Sequence, residues 1–411
     1  MANNFSKNSL RSGGNYLDLK QMNRSLVMQL IYKNAGISRS ELATHLDLTV
    51  AAISKITNSL IDLGIVEEVG YVSGLKGRRA IGLEIKSADY SVLAVKVSRR
   101  KIIFGVFSLA SVLLAEESIV ITGNERSDDL INLIHSKIKE HIAKTEGIRA
   151  VAISVPGPFD INRQEILLIT EMNQFEGLDF SLLYNGDISQ PVILSHDANA
   201  GVMFEWLSKD AYGIGDGTLV YYLIGEGVGA GIISNGNLLY GHNGMAGELG
   251  HVSLDVNGER CACGNRGCLE LYCSSIAFVR KGKLQRNAFP SSILNTFPNL
   301  TAKNIIDSAR NGCELSRKLC KEAAQAIGYG AVNIVNAYDP NEIVIGDEMA
   351  YGGDLIIDEI RKTIEERASK HLKNQVNVRI EDVGFDHILY GTAAIAIDHS
   401  LRNPEILSNQ D

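Results

Sequence analysis

The chain has 411 residues, of which 45% are hydrophobic and 21% charged, which is typical of a folded globular protein with two or three domains. It contains no apolar run of about 18 residues and no apolar segment at its N-terminus, so we expect neither a transmembrane helix nor a signal peptide. Six cysteines, three of them within one short segment, favour a protein of the reducing cytoplasm.

The net charge is unevenly distributed along the chain. Residues 1–86 carry 11 Lys and Arg against 7 Asp and Glu, giving +4 of the total of −8, which leaves −12 for the rest. A basic segment attached to an acidic body is typical of a segment that binds a polyanion.

The first predicted elements are three short helices. Apolar residues at helical spacing begin at Leu19, and Gly36 is expected to end the first helix. Ser38 and Glu41 form a capping box for a second helix, and a tight turn leads to a third over residues 49–63. Such a pair of helices predicts a helix-turn-helix. The face of the third helix directed at DNA carries small, polar and cationic residues: Ala51, Ser54, Lys55 and Asn58.

Two short strands, residues 65–69 and 80–85, follow the third helix and predict a hairpin wing. The glycine-rich wing carries three cations: Lys76, Arg78 and Arg79. Cationic groups on such a loop can enter a narrow minor groove. We therefore predict a DNA-binding winged helix-turn-helix domain over residues 1–86. The alternative is a small helical packing domain with a solvated basic loop.

Strand pairs alternate with helices through the rest of the chain. A hairpin is predicted at residues 90–108, single strands at 150–155 and 192–194, and a further pair at 218–224 and 229–233. The other predicted elements are helices at 130–144, 317–337, 354–370 and 391–400, a helix containing Trp206, and strands at 342–345 and 376–382. This alternation predicts an α/β body, in which two similar lobes surround a cleft.

One histidine and three cysteines lie within 18 residues of each other: His251, Cys261, Cys263 and Cys268. A closed set of four nitrogen and sulfur ligands is typical of a structural Zn²⁺ site, and the intervening glycines allow the loop to turn tightly. The segment predicts one structural zinc ion per chain, bound by the loop 251–268. The alternative is three reduced cysteines in a glycine-rich loop.

Carboxylates flank this predicted metal loop. Glu248 precedes His251 by three residues and Glu270 follows Cys268 by two, so a bound metal would also fix both carboxylates. Carboxylates and an imidazole on a rigid loop suit a polyhydroxylated ligand, whereas the alternative for each glutamate is an ordinary surface position. Asp197 follows a predicted strand, where α/β proteins bind ligands, although a helix-capping role fits it equally.

These motifs resemble the signature of the ROK family (repressors, open reading frames and sugar kinases). The segments GELGH and CACGNRGCLE resemble its metal signature, HDANA its catalytic-Asp motif and SVPGP one of its turns. With the predicted winged helix, the chain is most similar to the repressor members, in particular the xylose-repressor-like branch. The resemblance implies an actin/hexokinase-like (ribonuclease H-like) α/β fold. Its small lobe would comprise residues 87–198 with the C-terminal helix 385–402, and its large lobe residues 199–384.

The resemblance also implies roles for individual residues. Zinc would be bound by His251, Cys261, Cys263 and Cys268. A sugar in the cleft would contact Asn173, Asp197, Glu248, His251 and Glu270. His196 replaces the Asn that the family usually has before the catalytic Asp, and the sugar itself is left open, with xylose and glucose as the leading candidates.

Both phosphate-binding motifs of the family's kinases are altered here. The kinases begin the body with D-x-G-x-T, where this chain has residues 96–100, KVSRR, and the usual G-T-G of the second loop is Gly225-Glu226-Gly227. Lys96 thus replaces the Asp that organises Mg²⁺, and the Glu226 carboxylate would repel phosphate. We predict sugar binding without phosphoryl transfer, and therefore no enzyme.

The sequence thus predicts a sugar-responsive repressor of carbohydrate-utilisation genes. It would bind a two-fold operator as a homodimer or tetramer and leave it when a monosaccharide such as xylose or glucose binds. Two alternatives remain: a sugar kinase with an accessory DNA-binding domain, and a regulator for which the sugar is a corepressor.

Overall fold

The structure is a computed structural model. It describes residues 16–73, 79–122, 125–157, 159–160, 165–166, 178–208, 217–372 and 375–408. Among the helices in these ranges, none combines the length with the apolar character of a membrane span.

The N-terminal domain consists of three helices and a three-stranded sheet in which β3 lies between β1 and β2. Its elements are α1 (Tyr16–Lys33), β1 (Ile37–Ser38), α2 (Arg39–Leu46), α3 (Val50–Asp62), β2 (Val66–Ser73) and β3 (Arg79–Ile85). The predicted capping box is confirmed, since the Ser38 amide donates to Glu41 at 2.9 Å and the Ser38 hydroxyl accepts from the Glu41 amide. Asp47, in the left-handed conformation, ends α2, and Thr49 caps α3. This is the tight turn of a helix-turn-helix.

Two five-stranded sheets of the same topology form the body. The first has the order β10-β7-β4-β5-β6 and the second β13-β12-β11-β14-β15. In each sheet, the first three strands along the chain are antiparallel. The next two strands are parallel to the first strand and lie on its other side. The strands are β4 (Ser91–Val97), β5 (Lys101–Ser108), β6 (Leu113–Val120), β7 (Ile148–Val155), β10 (Val192–His196), β11 (Thr218–Ile224), β12 (Val228–Ser234), β13 (Asn237–Leu238), β14 (Glu342–Gly346) and β15 (Asn377–Ile380), with a small hairpin of β8 (Phe159–Asp160) and β9 (Glu165–Ile166) between β7 and β10. This duplicated mixed sheet is the predicted actin/hexokinase-like fold.

Helices separate the two sheets and cover their outer faces. In chain order they are α4 (Ser127–Lys144), α5 (Asp197–Leu207), α6 (Glu270–Cys273), α7 (Ser275–Gln285), α8 (Ala302–Arg310), α9 (Glu314–Tyr338), α10 (Asp354–Arg367) and α11 (His387–Arg402). Helix α5 packs on β11 and β12, α11 packs on β4 and β7, and the two helices pack on each other. They form the layer between the sheets, and α1 of the N-terminal domain rests on α11.

The boundary between the two lobes that was predicted from the sequence falls inside this central layer. This boundary, between residues 198 and 199, falls within the first turn of α5. Because α5 packs on the second sheet, almost the whole helix belongs with that sheet. The division into residues 1–86, 87–198 with 385–402, and 199–384 stays a proposal.

Candidate functional site

A cleft of about 500 Å³ lies between the two sheets. Its walls are formed by the carboxyl ends of β4, β7, β10 and β14 and by the turn between β11 and β12. This is the ordinary position of a ligand in a mixed or parallel sheet. Polar and charged side chains dominate the lining, among them Lys96, Arg99, His196, Asp197, Glu226, Glu248, His251, Glu270 and Asp347.

Four of the five predicted sugar-binding residues line this cleft together: Asp197, Glu248, His251 and Glu270. Asn173 lies outside the described residues. Asp197 is the first residue of α5, where its Oδ1 accepts a hydrogen bond from the Ala198 amide at 2.7 Å. Glu248 precedes the short 3₁₀ helix Leu249–His251, and the buried Glu270 begins α6. Three carboxylates and an imidazole therefore converge from three separate elements.

The imidazole of His196, a residue absent from the predicted contact set, lies between two of these carboxylates. Its Nδ1 is 3.3 Å from Oδ1 of Asp197, and its Nε2 is 3.6 Å from Oε1 of Glu248. Burial raises the pKa of Glu248, while His196 and His251 oppose that rise. The sequence signal for His196 was its place at the end of β10, immediately before Asp197. The ring holds the two carboxylates apart and adds a donor or acceptor to the cleft.

The four predicted metal ligands form one cluster beside the cleft. Nδ1 of His251 lies 3.8 Å from Sγ of Cys261, and the Sγ atoms of Cys263 and Cys268 are 3.6 Å apart. All four ligand atoms lie within 4.8 Å of one another. Ligands about 2.3 Å from a tetrahedral zinc ion would be separated by roughly 3.8 Å, so the cluster fits an ion of that size. Burial raises the pKa of the Cys268 thiol to about 12, and a coordinated cation would reverse this rise.

The loop that carries these ligands is fixed by its backbone. At Gly267, φ is +59° and a Cβ atom would overlap the carbonyl oxygen of Asp255, so only glycine fits. The side-chain amide of Asn265 donates to the His251 carbonyl at 3.0 Å. Nδ1 of His251 faces the thiols while its Nε2 lies 4.0 Å from Oε2 of Glu248. One imidazole thus joins the metal cluster to the cleft.

The face of α3 that the sequence predicts to contact DNA is solvent-accessible. Ala51, Lys55 and Asn58 are exposed and Ser54 is partly buried. Arg39, which was not among the predicted residues, donates to Oδ1 of Asn58 at 3.1 Å and also pairs with Glu68 of β2 at 2.8 Å. Arg39 therefore fixes the orientation of one predicted base-contacting side chain.

The wing is described only at its base. Arg79, the first residue of β3, is exposed, whereas Lys76 and Arg78 lie outside the described residues.

At the opposite end of the cleft, Lys96 is held by carboxylates. Its Nζ donates to both oxygens of Asp386, at 2.7 and 2.8 Å. Burial alone would lower the pKa of Lys96, but Asp386, Asp347 and Asp197 raise it. The lysine that stands at the position of the kinases' Mg²⁺-organising Asp is therefore a partly buried cation inside an acidic cluster.

Ion pairs also join the two altered phosphate loops. Nε of Arg99 lies 3.4 Å from Oε2 of Glu226, and Nε of Arg100 lies 3.8 Å from Oε1 of the same carboxylate. The Asp347 carboxylate packs so closely on Gly225 that a Cβ atom there would overlap it. The two segments that resemble the kinases' phosphate loops are thus joined to each other by ion pairs at the edge of the cleft.

Comparison with known proteins places this architecture in a family. The model of the ROK family matches residues 92–399, which is more than half of the chain. The chain belongs to the ROK family. A winged helix-turn-helix DNA-binding model matches residues 23–67 of this ROK protein, so the resemblance stated from its motifs is confirmed.

Similar full-length proteins of the family are named as repressors. The xylose repressor of Caldicellulosiruptor bescii is 28% identical over 95% of this chain and 99% of its own. The DNA-binding transcriptional repressor Mlc of Escherichia coli is 27% identical over 93% of this chain and 94% of its own.

Solved structures cover the ROK protein to different extents. A ROK family transcriptional regulator, described as a homologue of Escherichia coli Mlc, matches 95% of this chain and 99% of its own with a TM-score of 0.82 at 25% identity. A ROK family glucokinase from Streptomyces griseus, in complex with glucose and AMPPNP, covers 74% of this chain and 99% of its own with a TM-score of 0.64 at 25% identity.

The acidic cluster around Lys96 predicts a pH dependence of stability for this ROK protein. Burial raises the pKa of Asp347 to about 7, above its value in the unfolded chain. The native state then binds more protons than the unfolded state between about pH 4 and pH 7, so this group makes the protein less stable as the pH rises through that interval.

The Asp347→Asn substitution should remove this penalty. We expect the variant to lose less stability than the parent between pH 5 and pH 8. The difference between their free energies of unfolding should shift in favour of the variant by on the order of 1 kcal/mol over this interval. Urea denaturation at both pH values measures it. Asp382→Asn, at a carboxylate outside the cleft lining, is the control; equal pH profiles for Asp347→Asn and the parent would contradict the assignment.

Proposed function

We propose that this ROK protein is a transcriptional repressor of carbohydrate-utilisation genes that leaves its operator when a monosaccharide occupies the cleft. The observation that carries the proposal is the combination in one chain of a winged helix-turn-helix domain and a cleft lined by three carboxylates and an imidazole, in which ion pairs join the two altered phosphate loops. The names of its relatives as xylose repressors and Mlc support the same reading. Xylose and glucose are the candidate inducers.

The cleft would bind the sugar through its hydroxyl groups. Asn173, Asp197, Glu248, His251 and Glu270 would accept or donate hydrogen bonds at fixed positions. A structural Zn²⁺ ion, one per chain, would be held by His251, Cys261, Cys263 and Cys268. Its role would be to fix the loop, so that His251 and Glu270 keep their orientation when the sugar leaves.

The N-terminal domain would bind the operator as a homodimer, alone or paired into a tetramer, in the cytoplasm. Ala51, Ser54, Lys55 and Asn58 would reach base edges in the major groove. Lys76, Arg78 and Arg79 would enter the minor groove or contact phosphates. Two such domains would span half-sites about one helical turn apart.

Release of the operator requires the sugar to prefer the DNA-free conformation. A ten- to hundred-fold weakening of operator binding corresponds to roughly 1.4–2.8 kcal/mol of preference. A sugar with the opposite preference would be a corepressor, so the sign of its effect on operator affinity decides between the two modes.

We further propose that the protein is not a sugar kinase. Asp197 could serve as a base. However, Lys96 replaces the Asp that would organise Mg²⁺, and the Glu226 carboxylate would repel the phosphate groups of a phosphoryl donor. Incubation with ATP, Mg²⁺ and a panel of hexoses and pentoses, analysed for sugar phosphate, should give the background of the protein-free mixture. A ROK glucokinase in parallel is the positive control. Turnover at a kinase-like rate of about 1 s⁻¹ or more would show that the altered loops still function.

A further inference from the structure

Helix α5 runs from the cleft to the N-terminal domain. Its first residue, Asp197, lines the cleft, and Trp206 lies near its last turn. Nine residues of α-helix span about 14 Å. The Trp206 ring lies 5.7 Å from Nζ of Lys33, the last residue of α1. A single short helix therefore has one end in the proposed sugar site and the other at the DNA-binding domain.

Close packing makes α5 a rigid element. A Cβ atom at Gly391 of α11 would overlap the carbonyl of Ala200, and one at Gly201 would overlap the ring of Tyr221. The backbone of α5 is thus held directly against α11 on one side and β11 on the other. Packed interiors respond to a displacement by shifting as units, since they have no free volume in which to bend.

The far end of α5 meets both α1 and α11. Lys33 is partly buried, and burial lowers its pKa while Asp398 of α11 opposes that change. Asp398 in turn accepts from Nε of Arg402 at 2.6 Å. A displacement of Trp206 would therefore change the surroundings of a partly desolvated cation, and partial desolvation strengthens a cation–π contact.

The neighbouring residue of α1 is attached to a different part of the body. The hydroxyl groups of Tyr32 and Ser111, in the turn after β5, are 3.2 Å apart. The Tyr90 hydroxyl, just before β4, donates to the Gly64 carbonyl at 3.2 Å. The N-terminal domain is thus held by α11, on which α1 packs, by the first sheet through Tyr32 and Gly64, and by α5 through Lys33. Movement of α5 together with α11, relative to the first sheet, would turn α1.

We propose that α5 transmits occupancy of the cleft to the N-terminal domain, and that the contact between Trp206 and Lys33 is the point of transfer. The inference rests on the proposed function. Lys33 and Trp206 are then positioning residues, which contact neither sugar nor DNA but determine how strongly one affects the other.

Trp206 is the only tryptophan of the chain, so its fluorescence reports on this junction alone. Titration of the full-length protein with D-xylose or D-glucose should shift the tryptophan emission, with a midpoint equal to the dissociation constant from calorimetry. A sugar that binds and releases the operator without altering the emission would overturn the inference while leaving the proposed function intact.

The Lys33→Met variant tests the transfer itself, with Lys20→Met, at an exposed position of the same helix, as the matched control. We expect Lys33→Met to bind sugar and sugar-free operator within about two-fold of the parent, while the factor by which sugar weakens operator binding falls at least about three-fold. Linkage requires the factor by which operator weakens sugar binding to fall equally. Trp206→Leu should behave in the same way.

The possible outcomes are distinct. Uncoupling in Lys33→Met and Trp206→Leu, but not in Lys20→Met, supports the inference. If sugar still weakens operator binding by the parent's factor in both Lys33→Met and Trp206→Leu, the inference is overturned and the proposed function stands. A parent protein whose operator binding does not respond to either sugar overturns the proposed function, and the inference with it.

Discussion

The Cys268→Ser substitution should abolish the response to sugar. Cys268 is fully buried, and its loss would leave the metal cluster with three ligands and an unpaired buried hydroxyl. Because structural zinc contributes about 10–16 kcal/mol in small zinc domains, the loop should lose its order. His251 and Glu270, which the loop positions, should then no longer hold a sugar.

Three measurements check this expectation. Zinc content, by atomic emission, should fall from about one ion per chain to nearly none, and the sugar dissociation constant should rise at least about 100-fold. Operator binding should be retained, since the buried residues of the N-terminal domain pack in one cluster with α5 and α11, whereas the residues that follow the metal loop pack in another. Cys313→Ser, which removes a thiol elsewhere in the same lobe at the cap of α9, is the control. A Cys268→Ser protein that titrates sugar normally would refute the role of the metal loop.

The second large effect is expected at Glu248. Its carboxylate lines the cleft between the rings of His196 and His251. Glu248→Gln keeps the shape of the side chain but replaces one acceptor oxygen with a donor and removes the charge that strengthens hydrogen bonds to sugar hydroxyls. We expect sugar affinity to fall ten- to hundred-fold, which is roughly 1.4–2.8 kcal/mol, with operator affinity and zinc content unchanged.

Calorimetry of sugar binding provides the measurement for Glu248→Gln. The matched control is Glu259→Gln, because Glu259 lies in the adjoining metal loop but pairs with Arg280 at 3.1 Å outside the cleft lining. Unaltered sugar affinity, with zinc still bound, would remove Glu248 from the site.

The metal loop and the N-terminal domain could be predicted because their determinants are local. The four ligands lie within 18 residues, and the capping box of Ser38 and Glu41 acts over three. Helix α8 was also signalled locally, since Thr301 and Asn304 form a capping box, but it was not predicted. Strand β6 was missed for a physical reason: it lies at a sheet edge, and Leu114 and Val120 are exposed.

The ion pairs of the cleft could not be predicted, because they depend on the tertiary fold. Lys96 and Asp386 are 290 residues apart. The sequence indicated that a lysine at this position is incompatible with Mg²⁺, but not which carboxylates compensate its charge. The contact between Lys33 and Trp206 likewise depends on the tertiary fold, because it forms where α1 packs on α11 and α11 packs on α5.

The central claim is that sugar occupancy, without nucleotide, controls DNA binding. Its most direct test is the dissociation constant for an operator selected in vitro from random DNA by the full-length protein. Fluorescence anisotropy at one fixed salt concentration, without ATP, would compare sugar-free protein with protein saturated by xylose or glucose. We predict a ten- to hundred-fold weaker complex with the inducing sugar. Operator affinity that stays the same, or increases, with a sugar that calorimetry shows to be bound would contradict the account.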